Sequence, residues 1–488
     1  MAELYVTHRT LILLTTVILV ALGLRLAFTF RSPVFVTKDS LEYVQPGYGL
    51  VFGQGFELAQ RRTPIYPAFI AGVMALVGQD LAGIAFVQHL LGVVTAGMVF
   101  AIGCLTAGPL LGFAAGLLFA VSSPQIIYEH YVITEPVFTF LLVGSVLSMI
   151  VAAQRDRWVW YALAGLLLGL AALTRPVAQV LLPLVPVYLW FTLRGWRRAA
   201  VGTLVVWAVV GMLLVPWTLR NQRAYGSAET TSTGRFLISR SVKHERNFVF
   251  YDEREAPRPE ESPQRLRARK IAQEVTNKRP APGQVYQRVR DELGLTEPQT
   301  DALLRDIALE AILKNPALYL EGTVEMLGEL WLGAKKDETL RWHLDEHDQP
   351  RVANQWGPLA TMLHAPTPAE IREIPVAERL SQVFRPTWVM RPLALFFIVG
   401  ALGTLVLRSW RVASWLVLVV AAQLVASTAL VGEVPRYRYP VDPFIWVVSG
   451  FGLILVANGI IAAVRRFTGM RLRPMRTAVH GQAAEIQH

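Results

Sequence analysis

The sequence predicts an all-α polytopic membrane protein, and three observations carry that reading. Of the 488 residues, 53% are hydrophobic and 17% charged, mean hydropathy is +0.39, and the apolar residues gather in runs of roughly 20, the length that crosses a hydrocarbon core of about 30 Å as a helix. A soluble globular chain of this size would be more polar. The net charge of +11 does not argue for nucleic acid, because the basic residues crowd short loops between apolar runs, where they orient a membrane protein. The single cysteine, Cys104, lies inside an apolar run; it rules out a disulfide framework or a cysteine-based zinc site and reads as a small buried hydrophobe.

In chain order, crossing-length runs fall near 10–30, 81–103, 105–123, 131–153, 158–174, 176–193, 199–217, 389–407, 412–431 and 442–464. The first reads as a retained anchor, since no small-x-small cleavage site follows it. The stretch 63–78, "TPIYPAFIAGVMALVG", is apolar but short and opens with two prolines. Charge parity assigns it. The loops "QRDR" (154–157), "RGWRR" (194–198), "RSWR" (408–411) and the tail "RRFTGMRLRPMR" (465–476) should share the cytoplasmic side with Arg9, and they do so only if 63–78 lies in the outer interface instead of crossing. Ten spans result, with both termini cytoplasmic.

Four regions follow: a seven-span N-terminal part (1–217) with a first external loop at 31–80; a mainly helical extracytoplasmic insert (218–388) between spans seven and eight; a three-span part (389–465); and a basic cytoplasmic tail (466–488). Within the insert, "SPQRLRARKIAQEVTNK" and "TEPQTDALLRDIALEAILKNP" read as helices, the second opening at Thr296 and closing at Asn315-Pro316. "ALYLEGTVEMLGELWLG" has apolar residues at helical spacing and suits a helix on the bilayer surface. His244, Glu245 and Asp252 read as solvated surface. Trp158, Trp190, Trp196 and Trp217 fall near span ends, as an interfacial belt does.

The charges that break the inside rule are the informative ones. Asp39, Glu42, Arg61, Arg62, Glu129, His130, Glu135, Arg175, Arg220, Arg223, Arg436 and Arg438 all fall at the outer ends of spans. A carboxylate can serve as a base for a hydroxyl, arginines bind phosphate, and an apolar groove holds a lipid tail. Together they suit transfer of a sugar from a polyprenyl phosphate, whose phosphate leaves without needing an acid. Asp39 is the expected base. Its alternative use is to cap the helix 40–53, with Glu42 completing a capping box. Glu42, Glu129, His130 and Glu135 are expected to orient an acceptor or a metal; Asp39, Glu129 and His130 could together offer oxygen and nitrogen ligands to a divalent cation. Arg61, Arg62, Arg175, Arg220, Arg223, Arg436 and Arg438 are the expected donor-phosphate contacts, with lipid headgroups as their other use. His89, inside the second span, is expected to make an ordinary hydrogen bond.

The segments "RRTPIYPAFIAG" (61–72), "YVITEPVF" (131–138), "ALTRP" (172–176), "VPWTLRNQRAYG" (215–226), "LKNPALYL" (313–320) and "VPRYRYPVDPF" (434–444), following an external Asp, resemble the bacterial GT-C glycosyltransferases. The protein O-mannosyltransferase and lipid A aminoarabinose transferase group is the most similar. The resemblance implies a polyprenyl-phosphate-linked donor, a lipid, glycan or protein acceptor, an external active site in the inner membrane, an Asp in the first external loop as catalytic residue, which maps onto Asp39, and a juxtamembrane helix at 63–78. Many relatives carry an adjacent acidic pair, whereas Ser40 follows Asp39 here. Two other classes would use a similar outer face. A transporter of lipid-linked saccharides should show an internal repeat and mid-depth charges; a polymerase or ligase with a lipid diphosphate donor should not depend on Asp39.

Overall fold

The computed structural model describes residues 8–193, 195–244, 248–252, 261–277, 283–332, 363, 386–431 and 435–468. Glu245, most of 333–388, the Glu433–Val434 start of the last outer loop and the tail beyond 468 lie outside the described residues, and of His244 only the backbone is described.

Among the described residues the chain is helical, with one isolated bridge between Phe35 and Tyr131. Six helices are long and apolar enough to cross a membrane: His8–Thr29 (α1), Leu81–Ala107 (α4), Glu135–Arg155 (α7), Trp196–Tyr225 (α10), Arg411–Leu430 and Tyr439–Thr468. A seventh results if Pro109–Val121 (α5) and Ser123–His130 (α6), bent by 49° at Ser122, form one span. This is fewer than the ten expected, for a geometric reason. Helix α8 (Trp158–Ala172) has 15 residues, which rise only about 22 Å. The expected span 176–193 is divided into a short 3-10 turn, Pro176–Leu181, and the nine-residue α9, Leu184–Thr192, because Pro176 and Pro183 cannot continue a hydrogen-bond ladder.

Two shorter helices lie between α1 and α4: α2 (Lys38–Val51) and α3 (Ile65–Val77). Helix α3 is the 63–78 stretch, 13 residues long, and it packs its Tyr66, Ile70 and Met74 into the main core. The α2–α3 crossing is close: a Cβ at Gly47 would sit 2.8 Å from the Pro67 carbonyl, so only glycine fits there. Helix α2 starts at Thr37 and not at Asp39, correcting the capping expectation. The Thr37 hydroxyl accepts from the Asp39 amide at 3.2 Å, and Ser40 Oγ accepts from the Thr37 amide at 2.9 Å. The carboxylate of Asp39 is therefore left for other partners.

The insert builds its own core from α11 (Thr233–His244), α12 (Pro263–Asn277), α13 (Gly283–Leu293) and α14 (Glu297–Lys314), around Ile238, Phe248, Ile271, Val289 and Ile307. Thr296 caps α14 with Gln299 in a capping box. Helix α15 (Pro316–Leu332) follows. It is not only a surface helix, since its Leu330 is buried in the main core and its Trp331 packs edge-on against Phe397. Buried Arg240 fastens the insert, donating to the Thr428 carbonyl at 3.0 Å and to Thr323 Oγ1 at 3.1 Å.

Candidate functional site

The loop between α2 and α3 brings Arg61 and Arg62 back over the first turn of α2. Arg62 uses its whole fork: Nη2 donates to Asp39 Oδ1 at 2.8 Å, Nε to Glu42 Oε2 at 2.6 Å and Nη1 to Tyr43 OH at 2.6 Å. Its guanidinium also stacks 4.5 Å from the Tyr43 ring centre. Arg61 closes the other side of Glu42, with Nε 2.9 Å from Oε2 and Nη2 on Oε1. Burial opposes ionisation of Glu42, but the Arg62 and Arg61 charges more than offset it and hold its carboxyl below the ordinary value. Glu42 is thus the anchor of the two arginines, and Arg62 in turn holds Asp39.

From the opposite side, Arg436 points Nη1 at Asp39 Oδ2, 3.5 Å away, and its Nε lies 3.7 Å from Glu135 Oε1. Glu135, at the first position of α7 and only 5% exposed, holds Arg175 at 2.5 Å. Arg175 stacks on Tyr437 at 4.7 Å. Arg436 Nε is buried and, among the described residues, has no hydrogen-bond partner. Four guanidiniums, of Arg61, Arg62, Arg175 and Arg436, meet three carboxylates, of Asp39, Glu42 and Glu135. The surplus is positive, and the Asp39 side chain keeps 25% exposure.

One further arginine was not singled out in the sequence. Arg235, on the first turn of α11, stacks 4.9 Å from the Tyr286 ring centre, and its backbone N–H donates to buried Asp301 at 2.8 Å. Burial and the neighbouring Arg61 charge both disfavour its cation. Thr231, four residues earlier, donates to the Arg61 carbonyl at 3.0 Å, so this turn of the insert abuts the cluster. Its only sequence signal was an arginine two residues after the "TST" run that starts the helix.

The other expected residues lie elsewhere. Arg438 is buried and donates to Asp442 Oδ1 at 3.0 Å and to the Leu330 carbonyl at 3.2 Å, tying α15 to the last span. Arg220 stacks on Trp217 and Tyr225 and donates to Asn221 at 3.0 Å. Arg223 is exposed. Glu129 and His130 turn inward on α6: Glu129 takes two bonds from Arg25, at 2.7 and 2.8 Å, and faces His89 at 3.0 Å. The set of Asp39, Glu129 and His130 is therefore parted, and among the described residues no three His, Cys, Asp or Glu side chains gather as a metal site would require.

Comparison with known proteins follows the same lines. Residues 61–219 match the family model described as dolichyl-phosphate-mannose-protein mannosyltransferase. No curated protein matches the chain. The archaeal oligosaccharyltransferase AglB of Archaeoglobus fulgidus, solved with an inhibitory peptide and a dolichol-phosphate, is 11% identical and superposes with a TM-score of 0.50, over 99% of this chain and 55% of that one. The apo form of the same organism's oligosaccharyltransferase gives 12% identity and a TM-score of 0.51 with the same coverage. This chain thus spans about half the length of those enzymes, and the likeness shows the shared fold. ArnT of Cupriavidus metallidurans, solved with undecaprenyl phosphate, is 14% identical over 95% of this chain and 81% of that one, with a TM-score of 0.37, a level that carries no structural weight. The family model covers residues 61–219 only, and the structural likeness shows a fold shared with those oligosaccharyltransferases.

Proposed function

We propose that the protein transfers a sugar, with inversion, from a polyprenyl-phosphate donor to a hydroxyl of an extracytoplasmic lipid, glycan or protein, and that Asp39 is the general base. The observation that carries this reading is the placing of Asp39: an accessible carboxylate held between Arg62 and Arg436 inside a cluster whose net charge is positive. Asp39 takes the proton of the acceptor hydroxyl as its oxygen attacks the anomeric carbon. The bond from that carbon to the phosphate oxygen breaks, and the departing phosphate monoester is met by arginines. Arg436 and Arg175 are the residues for that task. Arg436 has a buried donor with no hydrogen-bond partner among the described residues, and Glu135 aims both side chains without neutralising both. Arg61 and Arg62, expected as phosphate ligands, instead orient the base through Glu42. Crystallisation of a fold relative with a dolichol-phosphate supports the donor class. In this topology the site faces the extracytoplasmic side of the inner membrane.

The test is release of free polyprenyl phosphate by protein in lipid discs, offered a panel of polyprenyl-phosphate sugars and a membrane extract as acceptor. Wild type should release it, and Asp39→Asn should lose at least about 100-fold, the scale of a general base. Equal release by both removes Asp39 from the mechanism. No release from any of these donors, with polyprenyl diphosphate released instead from an added diphosphate-linked donor, would favour the polymerase or ligase reading.

A further inference from the structure

A second cluster of ionisable groups lies beneath the candidate site, and the transfer step does not use it. Arg25 of α1, 1% exposed, grips Glu129, which faces His89 Nδ1 at 3.0 Å. His89 Nε2 meets His130 Nδ1 at 3.0 Å, and His130 Nε2 lies 3.1 Å from the Ser32 carbonyl and 2.9 Å from that of Pro33. Two carbonyls can only accept, so His130 Nε2 carries a proton. Its Nδ1 faces His89 Nε2, and His89 Nδ1 faces the Glu129 carboxylate, so the three side chains form one continuous line of polar contacts. Phe28 and Phe35 cover His130 edge-on at 4.8 and 5.0 Å and keep water out. Backbone bonds run beside it: Phe35 N–H to the His130 carbonyl at 3.1 Å and Val132 N–H to the Phe35 carbonyl at 3.0 Å. Four residues after Phe35 stands Asp39. Gly92 makes room for the arrangement, since a Cβ there would meet the Glu129 carboxylate at 2.2 Å.

We propose that His130 is a positioning residue for the transfer: through the line Arg25–Glu129–His89–His130 it fixes the Ser32–Pro33 backbone, and so the segment that presents Asp39. The inference rests on Asp39 being the base of the proposed reaction. A loop unpinned at Ser32–Pro33 leaves helix α2 formed but lets its start drift, and misplacement near 1 Å costs on the order of 100-fold in rate.

The test compares His130→Leu with His130→Gln, whose amide N–H stands where Nε2–H does. Hydrogen exchange over residues 31–40 and steady-state transfer are both measured in lipid discs. The Leu variant should exchange faster in this segment and lose about 100-fold in kcat with donor KM unchanged, and Gln should restore most of both. Gly92→Ala, which displaces Glu129 without removing any polar group, should reproduce the Leu result and serves if that variant fails to fold. Faster exchange in a chain whose wild type transfers from no donor would refute the transferase reading and leave the pinning intact. Unchanged exchange, or a Gln variant as impaired as Leu, overturns the proposal.

Discussion

Replacing Arg62 by lysine keeps the charge and removes the fork. The guanidinium makes three side-chain bonds, to Asp39 at 2.8 Å, Glu42 at 2.6 Å and Tyr43 at 2.6 Å, and one ammonium on a flexible stem cannot reach all three. Two are lost. A hydrogen bond to a charged group contributes roughly 1.5–3 kcal/mol, and because Arg62, Asp39 and Glu42 are 15%, 25% and 30% exposed, solvent screening puts each at the lower end. About 3 kcal/mol is then at stake, equivalent to roughly 150-fold in rate if all of it falls on the orientation of the base. The assay is polyprenyl phosphate release in lipid discs, with thermal unfolding measured in parallel. Arg62→Lys should lose between ten- and about 150-fold in kcat/KM, and it should add little to the loss already caused by Asp39→Asn, because Arg62 acts through that base. A lysine variant within threefold of wild type would refute the claim that this fork holds Asp39.

The two arginines of the "RYRYP" stretch should separate cleanly. Arg436→Gln should raise donor KM about tenfold or more, whereas Arg438→Gln should lower thermal stability and leave donor KM alone; the reverse pattern would contradict the assignment of the phosphate contact. Gly234→Ala should part α11 from α14 within the insert, since its Cβ would meet the Asp301 carbonyl at 1.9 Å. Faster proteolysis of α11 at unchanged α12 protection would show it. The pH response of the clamp follows from Glu42, whose folded pKa is lowered below the ordinary 4.5. A depressed carboxylate contributes stability that is fully present above its unfolded pKa and is lost as pH falls through the folded one. Thermal stability should therefore hold from neutral pH down to that ordinary value and fall only beneath it, and Glu42→Gln should lack that acid limb.

Much of the site was legible before the fold. Asp39, Glu135, Arg175 and Arg436 stand at the ends of apolar runs where ionisable groups are costly, and position alone marked them. What could not be read was direction. Glu129 and His130 share the neighbourhood of Glu135 in sequence, but the bend at Ser122 turns α6 inward and gives them to Arg25 and His89. Arg25 was overlooked although it too is an arginine inside an apolar run; its partner is 104 positions away, and no local spacing reveals such a pair. Arg438 was misassigned although Asp442, four residues on, is a spacing that joins side chains on one helical face. The span count is a separate matter: hydropathy registers 158–174 and 176–193 as two full runs, whereas the first forms a 15-residue helix and the second is divided at Pro183.

The pairing of Arg25 with Glu129 also sets a schedule for biosynthesis. During synthesis at about 5–20 residues per second, the 104 residues between them take roughly 5–20 s to emerge. Throughout that interval α1 must reside in the bilayer, or at its edge, with an arginine four residues from its end and without its carboxylate. The first helix is therefore a provisional passenger. Arg25 gains its partner only when α6 delivers the carboxylate, so the first helix and the line that ends at Ser32–Pro33 are completed in the same event.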